Sequence, residues 1–135
     1  DRFNMLKLAI QGNKKFKISD MEIKRKGRSY SVETLRRLRK KYGQKTELFF
    51  IAGSDSLKEL NTWTNLEEIL RLCRFVIAER PGFRVKKAPE SFMLLRINAK
   101  DISATDIRKR IESGNSISPL IPAAVKRYIY RYRLY

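Results

Sequence analysis

Histidine is absent from this 135-residue sequence. That absence excludes Ser-His and Cys-His catalysis within the chain, and any metal site built on imidazole. Cysteine occurs once, at Cys73, so no internal disulfide can form and a cytoplasmic setting is expected. No apolar run approaches the ~20 residues of a transmembrane helix, so no membrane partner is expected. The opening residues carry no signal-peptide pattern, and no leader is expected. Acidic residues are scarce: 14 Asp and Glu stand against 31 Lys and Arg, a formal net charge of +17. Repeats and low-complexity tracts are missing, and residue 1 is Asp rather than Met.

What is present describes a globular chain. The hydrophobic fraction of 42% and charged fraction of 33% suit one folded domain with its own core. The positive excess favours anionic partners such as nucleic acid, acidic lipid or phosphorylated small molecules, or else is a solvated basic surface. Its densest clusters are Lys24-Arg25-Lys26 with Arg28, Arg36-Arg37 with Arg39-Lys40-Lys41, and Lys126-Arg127 with Arg131 and Arg133. Tyr128, Tyr130, Tyr132 and Tyr135 lie near the last.

The apolar pattern alternates between helical and strand periods. Phe3, Leu6 and Ile10 fit a helix ending near Gly12, and Phe16-Lys-Ile18 reads as a short strand. Ser31 opens a helical pattern carrying Val32, Leu35, Leu38 and Tyr42, with Gly43 as its stop. Glu47 to Ala52 is a continuous apolar run, the pattern of a strand buried on both faces. A turn and a short helix at Ser56–Leu60 follow, and then a helix through Leu66, Ile69, Leu70 and Cys73, whose thiol should sit in the core. Phe75–Ala78 and Met93–Ile97 read as further strands. Pro122 suits a first helical position ahead of Val125, Ile129 and Tyr132. Strands alternating with helices predict an α/β fold with a parallel sheet, in which ligands sit beyond the carboxyl ends of the strands.

The segment Ile102-Ser-Ala-Thr-Asp-Ile-Arg-Lys-Arg-Ile111 carries the sharpest local signal. Ser103 and Asp106 have capping-box spacing, Ile107 and Ile111 would face a core, and Gly114 is a stop. Thr105 and Arg108 then fall in the first turn. Helix N–H groups, a hydroxyl and a guanidinium converge there as a phosphate site, or else form an ordinary capped helix.

Taken in order, several segments resemble one family. They are Ser29-Tyr-Ser-Val-Glu-Thr-Leu35, Phe50-Ile-Ala-Gly-Ser-Asp-Ser-Leu57, Thr62-Trp63, Arg80-Pro-Gly82, Ile102-Ser-Ala-Thr-Asp-Ile-Arg108 and Leu120-Ile-Pro122 with the C-terminal Tyr and Leu residues. Together they resemble bacterial nicotinate-nucleotide adenylyltransferase, over nearly the whole chain. The resemblance implies a Rossmann-like nucleotidylyltransferase fold. It also implies adenylyl transfer from ATP to nicotinate mononucleotide, giving deamido-NAD and pyrophosphate in NAD biosynthesis. Mg²⁺ would enter with ATP as substrate, and no resident metal site is expected.

The family opens with a strand, a Gly-rich turn and a His-x-Gly-His element, then a second strand and a Pro-Pro-His-Lys loop. Nothing here matches these, so the chain resembles the family without its first strand-helix units. The expectation is a single, N-terminally incomplete domain, residues 1–135, nearly inactive by itself. The Glu47–Ala52 strand would then carry an unpaired edge.

Site roles follow from the resemblance. Asp55 would accept hydrogen bonds from the adenosine ribose, with Gly53 letting the nucleotide approach; otherwise Asp55 caps the following helix. Arg80 would line the adenine or phosphate side. Ser103, Thr105 and Arg108 would clamp the ATP phosphates, Thr105 and Arg108 carrying the catalytic contribution. Thr62 and Trp63 would form the nicotinate pocket, or Trp63 is core. Tyr30 and Ser31 would face the pyridine carboxylate from a helix N-terminus, a role compatible with Ser31 as a plain N-cap. The alternatives are another adenylyltransferase of the superfamily, of the pantetheine phosphate type, and a basic nucleic-acid-binding module. No known nucleic-acid motif is present.

Overall fold

The computed structural model describes every residue except Lys26 and Lys87; the Lys26 member of the first basic cluster therefore lies outside the described residues. The chain forms two compact units, one of residues 21–101 and one of residues 1–20 with 102–135.

The larger unit is built on three strands, β1 (Phe49–Gly53), β2 (Arg74–Ala78) and β3 (Phe92–Leu95). They lie in the order β1-β2-β3, all parallel, with Ile51 opposite Val76 and Val76 opposite Met93. This is the expected α/β parallel sheet. Parallel neighbours need crossovers, and those here are a 3-10 helix (Ser54–Thr62) with α3 (Leu66–Leu72), and the loop before β3. α2 (Ser31–Tyr42) precedes the sheet. Its Val32 and Leu35 pack with Leu60, Ile69, Phe75 and Ile77 into one core on one sheet face. Phe75 and Ile77 are fully buried because the strand period of two sends both to that face.

β1 corrects the reading of a strand buried on both faces. Phe50 and Ala52 pack on the core, while Phe49 and Ile51 are exposed, Ile51 by 64%. Met93 and Leu95 of β3 share the open face by register and are exposed too. A run of consecutive apolar residues states that both faces are apolar; it does not state that both are covered. On its far edge β1 pairs with no strand among the described residues.

Two α2 side chains tie that helix to α3. Arg36 meets Glu68 through two parallel hydrogen bonds, Nε to Oε1 at 2.6 Å, tying α2 to α3 and holding the Glu68 carboxyl below its usual range. Arg39 donates to the carbonyls of Gly43 at 3.1 Å, of Thr46 and of Leu72. It closes the carbonyl ends of both helices, where cations are favoured. Cys73 is buried as expected, its thiol donating to Ile69 O at 3.2 Å.

The smaller unit holds α1 (Arg2–Ala9), α4 (Ala104–Glu112) and α5 (Ala123–Arg131). Ile107, Ile117, Val125 and Ile129 form its core, with Met5, Leu8 and Ile111 against it. The α1 stripe therefore runs through Met5 and Leu8, and Leu6 is exposed. Phe16–Ile18 is not a strand: no neighbour pairs with it among the described residues, and Phe16 stands in solvent. Pro122 is the N-cap of α5 rather than its first residue, and Tyr132 caps the other end, exposed, with its ring 4.5 Å from that of Tyr128.

Candidate functional site

Two adjacent pairs well separated in sequence, Tyr30-Ser31 and Thr62-Trp63, line one cavity of about 210 Å³ in the sheet unit, with Ser29, Thr64 and Ile69. Tyr30 is the N-cap of α2 and no side chain caps that helix. The Glu33 and Thr34 N–H groups bond the Tyr30 carbonyl at 3.1 and 3.4 Å, the Tyr30 side chain adds no cap, and the positive end of this 12-residue helix borders the cavity. Trp63 is half-buried. Its ring packs at 5.6 Å on Phe50 and 5.7 Å on Phe75, so it belongs to the core and to the cavity wall at once. The Thr62 hydroxyl donates to Glu59 O at 2.7 Å, which holds the end of the 3-10 helix.

A second constellation stands beyond the carboxyl ends of β1 and β2. Arg80 Nη1 donates to Asp55 Oδ2 at 2.6 Å. The Arg80 N–H donates to the buried Ser54 hydroxyl at 3.0 Å. Asp55 makes no helix cap; the N-cap position is Gly53, with no side-chain bond. A Cβ on Gly53 would lie 2.3 Å from Asp55 Oδ1 and 3.0 Å from Arg80 Cδ. Glycine is thus needed because the Asp55 and Arg80 side chains lie against it, at an ordinary φ of −72°. Glu79 accepts from the Val85 N–H at 2.9 Å and closes the loop that carries Arg80. The adjoining cavity, about 370 Å³, is lined by Arg80, Gly82, Arg84 and Asn98 among others.

In the helical unit, Ser103 caps α4 as the spacing predicts, accepting from the Asp106 N–H at 3.0 Å. Its hydroxyl donates to Asp106 Oδ2 at 2.6 Å, so the box closes side chain to side chain. Thr105 and Arg108 are brought together one turn apart, Arg108 Nη2 donating to Thr105 Oγ1 at 3.3 Å. Tyr135 stacks near that guanidinium, 5.9 Å from ring centre to Cζ. An exposed hydroxyl and a cation with unspent donors suit a phosphate oxygen.

One residue escaped the sequence reading. Arg25 looked like part of a solvated basic cluster, yet its side chain is only 10% exposed and pairs with Glu33. Nothing local signals this; the partner lies eight residues on, in the first turn of α2. Among the described residues no group of three His, Cys, Asp or Glu side chains could hold a metal ion, and no helix is long and apolar enough to cross a membrane.

Residues 1–110 match the cytidylyltransferase-like family model. A probable nicotinate-nucleotide adenylyltransferase of a Thermoanaerobacter species is 38% identical over 145 residues, covering 99% of this chain and 69% of the relative. One from Dehalococcoides mccartyi is 42% identical over 146 residues, covering 100% and 71%. Among solved structures, Plasmodium falciparum nicotinic acid mononucleotide adenylyltransferase complexed with APC superposes with a TM-score of 0.76 at 23% identity, over 98% of this chain and 73% of that one. That likeness shows the shared fold. With relatives this similar over their greater part, the chain belongs to the nicotinate-nucleotide adenylyltransferase family.

Proposed function

We propose that this protein joins ATP and nicotinate mononucleotide to make deamido-NAD and pyrophosphate, in the cytoplasm, with Mg²⁺ arriving on ATP. The observation that carries the reading is the cavity of Tyr30, Ser31, Thr62 and Trp63. A flat aromatic wall beside an uncapped helix N-terminus suits a planar ring bearing a carboxylate. A flexible pantetheine arm would use neither feature.

The reaction needs no covalent enzyme intermediate. A phosphate oxygen of nicotinate mononucleotide attacks the α-phosphorus of ATP in line. The bond to the β-phosphate breaks, and pyrophosphate leaves with its Mg²⁺. Catalysis is positioning and stabilisation of phosphate charge. In the sheet unit, Asp55 accepts from the ribose hydroxyls, Gly53 leaves that carboxylate its space, and Arg80 fixes its direction while lining the adenine side. In the helical unit, Thr105 and Arg108 donate to phosphate oxygens at the capped start of α4, with Ser103 holding the turn.

The test is product formation by the full chain with MgATP and each acceptor separately. Deamido-NAD from nicotinate mononucleotide is expected. Faster transfer to pantetheine phosphate would overturn the reading.

A further inference from the structure

An acidic side chain in the helix turn that borders the cavity works against an anion bound there. Glu33 occupies the first turn of α2, the turn that begins at Ser31 on the cavity wall. A second acid, Glu22, accepts from the hydroxyl of Thr34 on the same turn. Two negative side chains would cancel the positive end of the helix for any anion bound there.

Arg25 reaches the same turn. Its Nη1 donates to Glu33 Oε2, and its Nη2 to Thr34 Oγ1 at 3.1 Å. The pair is unequal in burial, the Arg25 side chain 10% exposed and that of Glu33 40%. The Nε of Arg25 is buried with no hydrogen-bond partner among the described residues. A guanidinium taken from water with a donor left over is a costly way to fasten a loop, for which an apolar contact would do. What it adds, and an apolar contact would not, is positive charge.

We propose that Arg25 is a positioning residue that sets acceptor specificity. By neutralising Glu33, it lets the N-terminus of α2 take the negatively charged pyridine carboxylate of nicotinate mononucleotide in preference to the neutral amide of nicotinamide mononucleotide. The proposal rests on the acceptor-site reading above. The two mononucleotides have nearly the same shape, so their ratio isolates the charge.

Trp63 is the only tryptophan and lines the cavity, so its fluorescence reports occupancy. In the full chain, each mononucleotide is titrated against wild type, Arg25→Gln, Arg25→Lys, Glu33→Gln and the Arg25→Gln/Glu33→Gln double variant. Wild type should bind nicotinate mononucleotide more tightly. Arg25→Gln should weaken it about tenfold, equivalent to about 1.4 kcal/mol, and change nicotinamide mononucleotide less than about twofold. Arg25→Lys should keep the preference, and the double variant should recover most of the loss. Equal weakening of both ligands by Arg25→Gln, or a double variant no better than the single one, would reduce Arg25 to a structural staple and overturn the proposal. Should Arg25→Gln fail to fold, Glu33→Gln decides: tighter nicotinate binding supports the proposal, and unchanged binding overturns it. No saturable response of wild type to nicotinate mononucleotide would instead overturn the acceptor-site reading beneath it.

Discussion

Arg80 Nη1 and Asp55 Oδ2 meet at 2.6 Å across 25 residues of sequence, at the carboxyl ends of two neighbouring parallel strands. Both side chains are about one-third exposed, 36% and 37%, so the pair contributes little to stability and its value is direction. Asp55→Asn should weaken ATP by about tenfold or more, the worth of a charge-assisted hydrogen bond of ~1.5–3 kcal/mol. Nicotinate mononucleotide should be unaffected, and the melting temperature nearly unchanged. Calorimetric titration of each substrate checks this; equal losses would remove Asp55 from the ribose site.

Trp63→Ala should weaken nicotinate mononucleotide more than ATP. It should also destabilise the sheet unit by about 3 kcal/mol or more, since the ring packs on Phe50 and Phe75. Trp63→Phe separates the effects by keeping most of the packing. If both variants lower affinity for both substrates alike, the ring is core alone.

Arg108→Ala should weaken the MgATP phosphates by at least about tenfold with little change in stability, because it removes a charged donor from a helix surface. Thr105→Ala should act in the same direction and less. Ser103→Ala should instead cost about 1 kcal/mol of stability through the lost cap. Single-stranded RNA offered at rising salt tests the rival reading of the +17 charge. The nucleic-acid module requires tight binding that collapses with salt; only weak, unspecific binding is expected here.

Burial pushes the Cys73 thiol above its ordinary value. Iodoacetamide at pH 8 should leave the folded protein unmodified and react once denaturant is added. The linkage has a fixed sign. The folded state holds the thiol proton more tightly, so this contribution is complete below the unfolded thiol's pKa, about 8.5, and is lost as pH rises beyond it. Cys73→Ala should flatten that alkaline loss in denaturant titrations.

From MgATP and nicotinate mononucleotide, deamido-NAD formation by these 135 residues should be slow, well below ordinary enzyme turnover. They offer no imidazole, and losing one preorganised donor typically costs about 10²–10³ in rate. β1 also lacks a pairing partner on its far edge among the described residues, which should loosen the turn at Gly53. Steady-state turnover within the usual enzyme range of about 1–10³ s⁻¹ would refute this and point to the Lys and Arg clusters.

By itself the sequence determined whatever depends on neighbours a few positions apart. The α2 bounds from Ser31 to Tyr42 with Gly43 beyond, the Ser103 cap and the Ile107 face of α4 all follow from local hydrogen bonding and the helical period. The strand cores at Phe50 and Phe75 follow from apolar runs too short for helices. The site residues are legible only in the order of their motifs, which carries a family's record and not a geometry.

Only the tertiary structure decided which apolar faces are covered and which charges meet. Phe49 and Ile51 are as apolar as Phe50, yet one side of β1 carries the helices and the other does not. Phe16–Ile18 alternates like a strand and finds no neighbour to pair with among the described residues. Arg25 reads as one more surface cation until folding places it over Glu33, and Asp55 reads as a cap until Arg80 arrives from the next strand. The physical reason is the same in each case. Burial and ion pairing are properties of residues brought together through space, and a period or a spacing records only what lies along the chain.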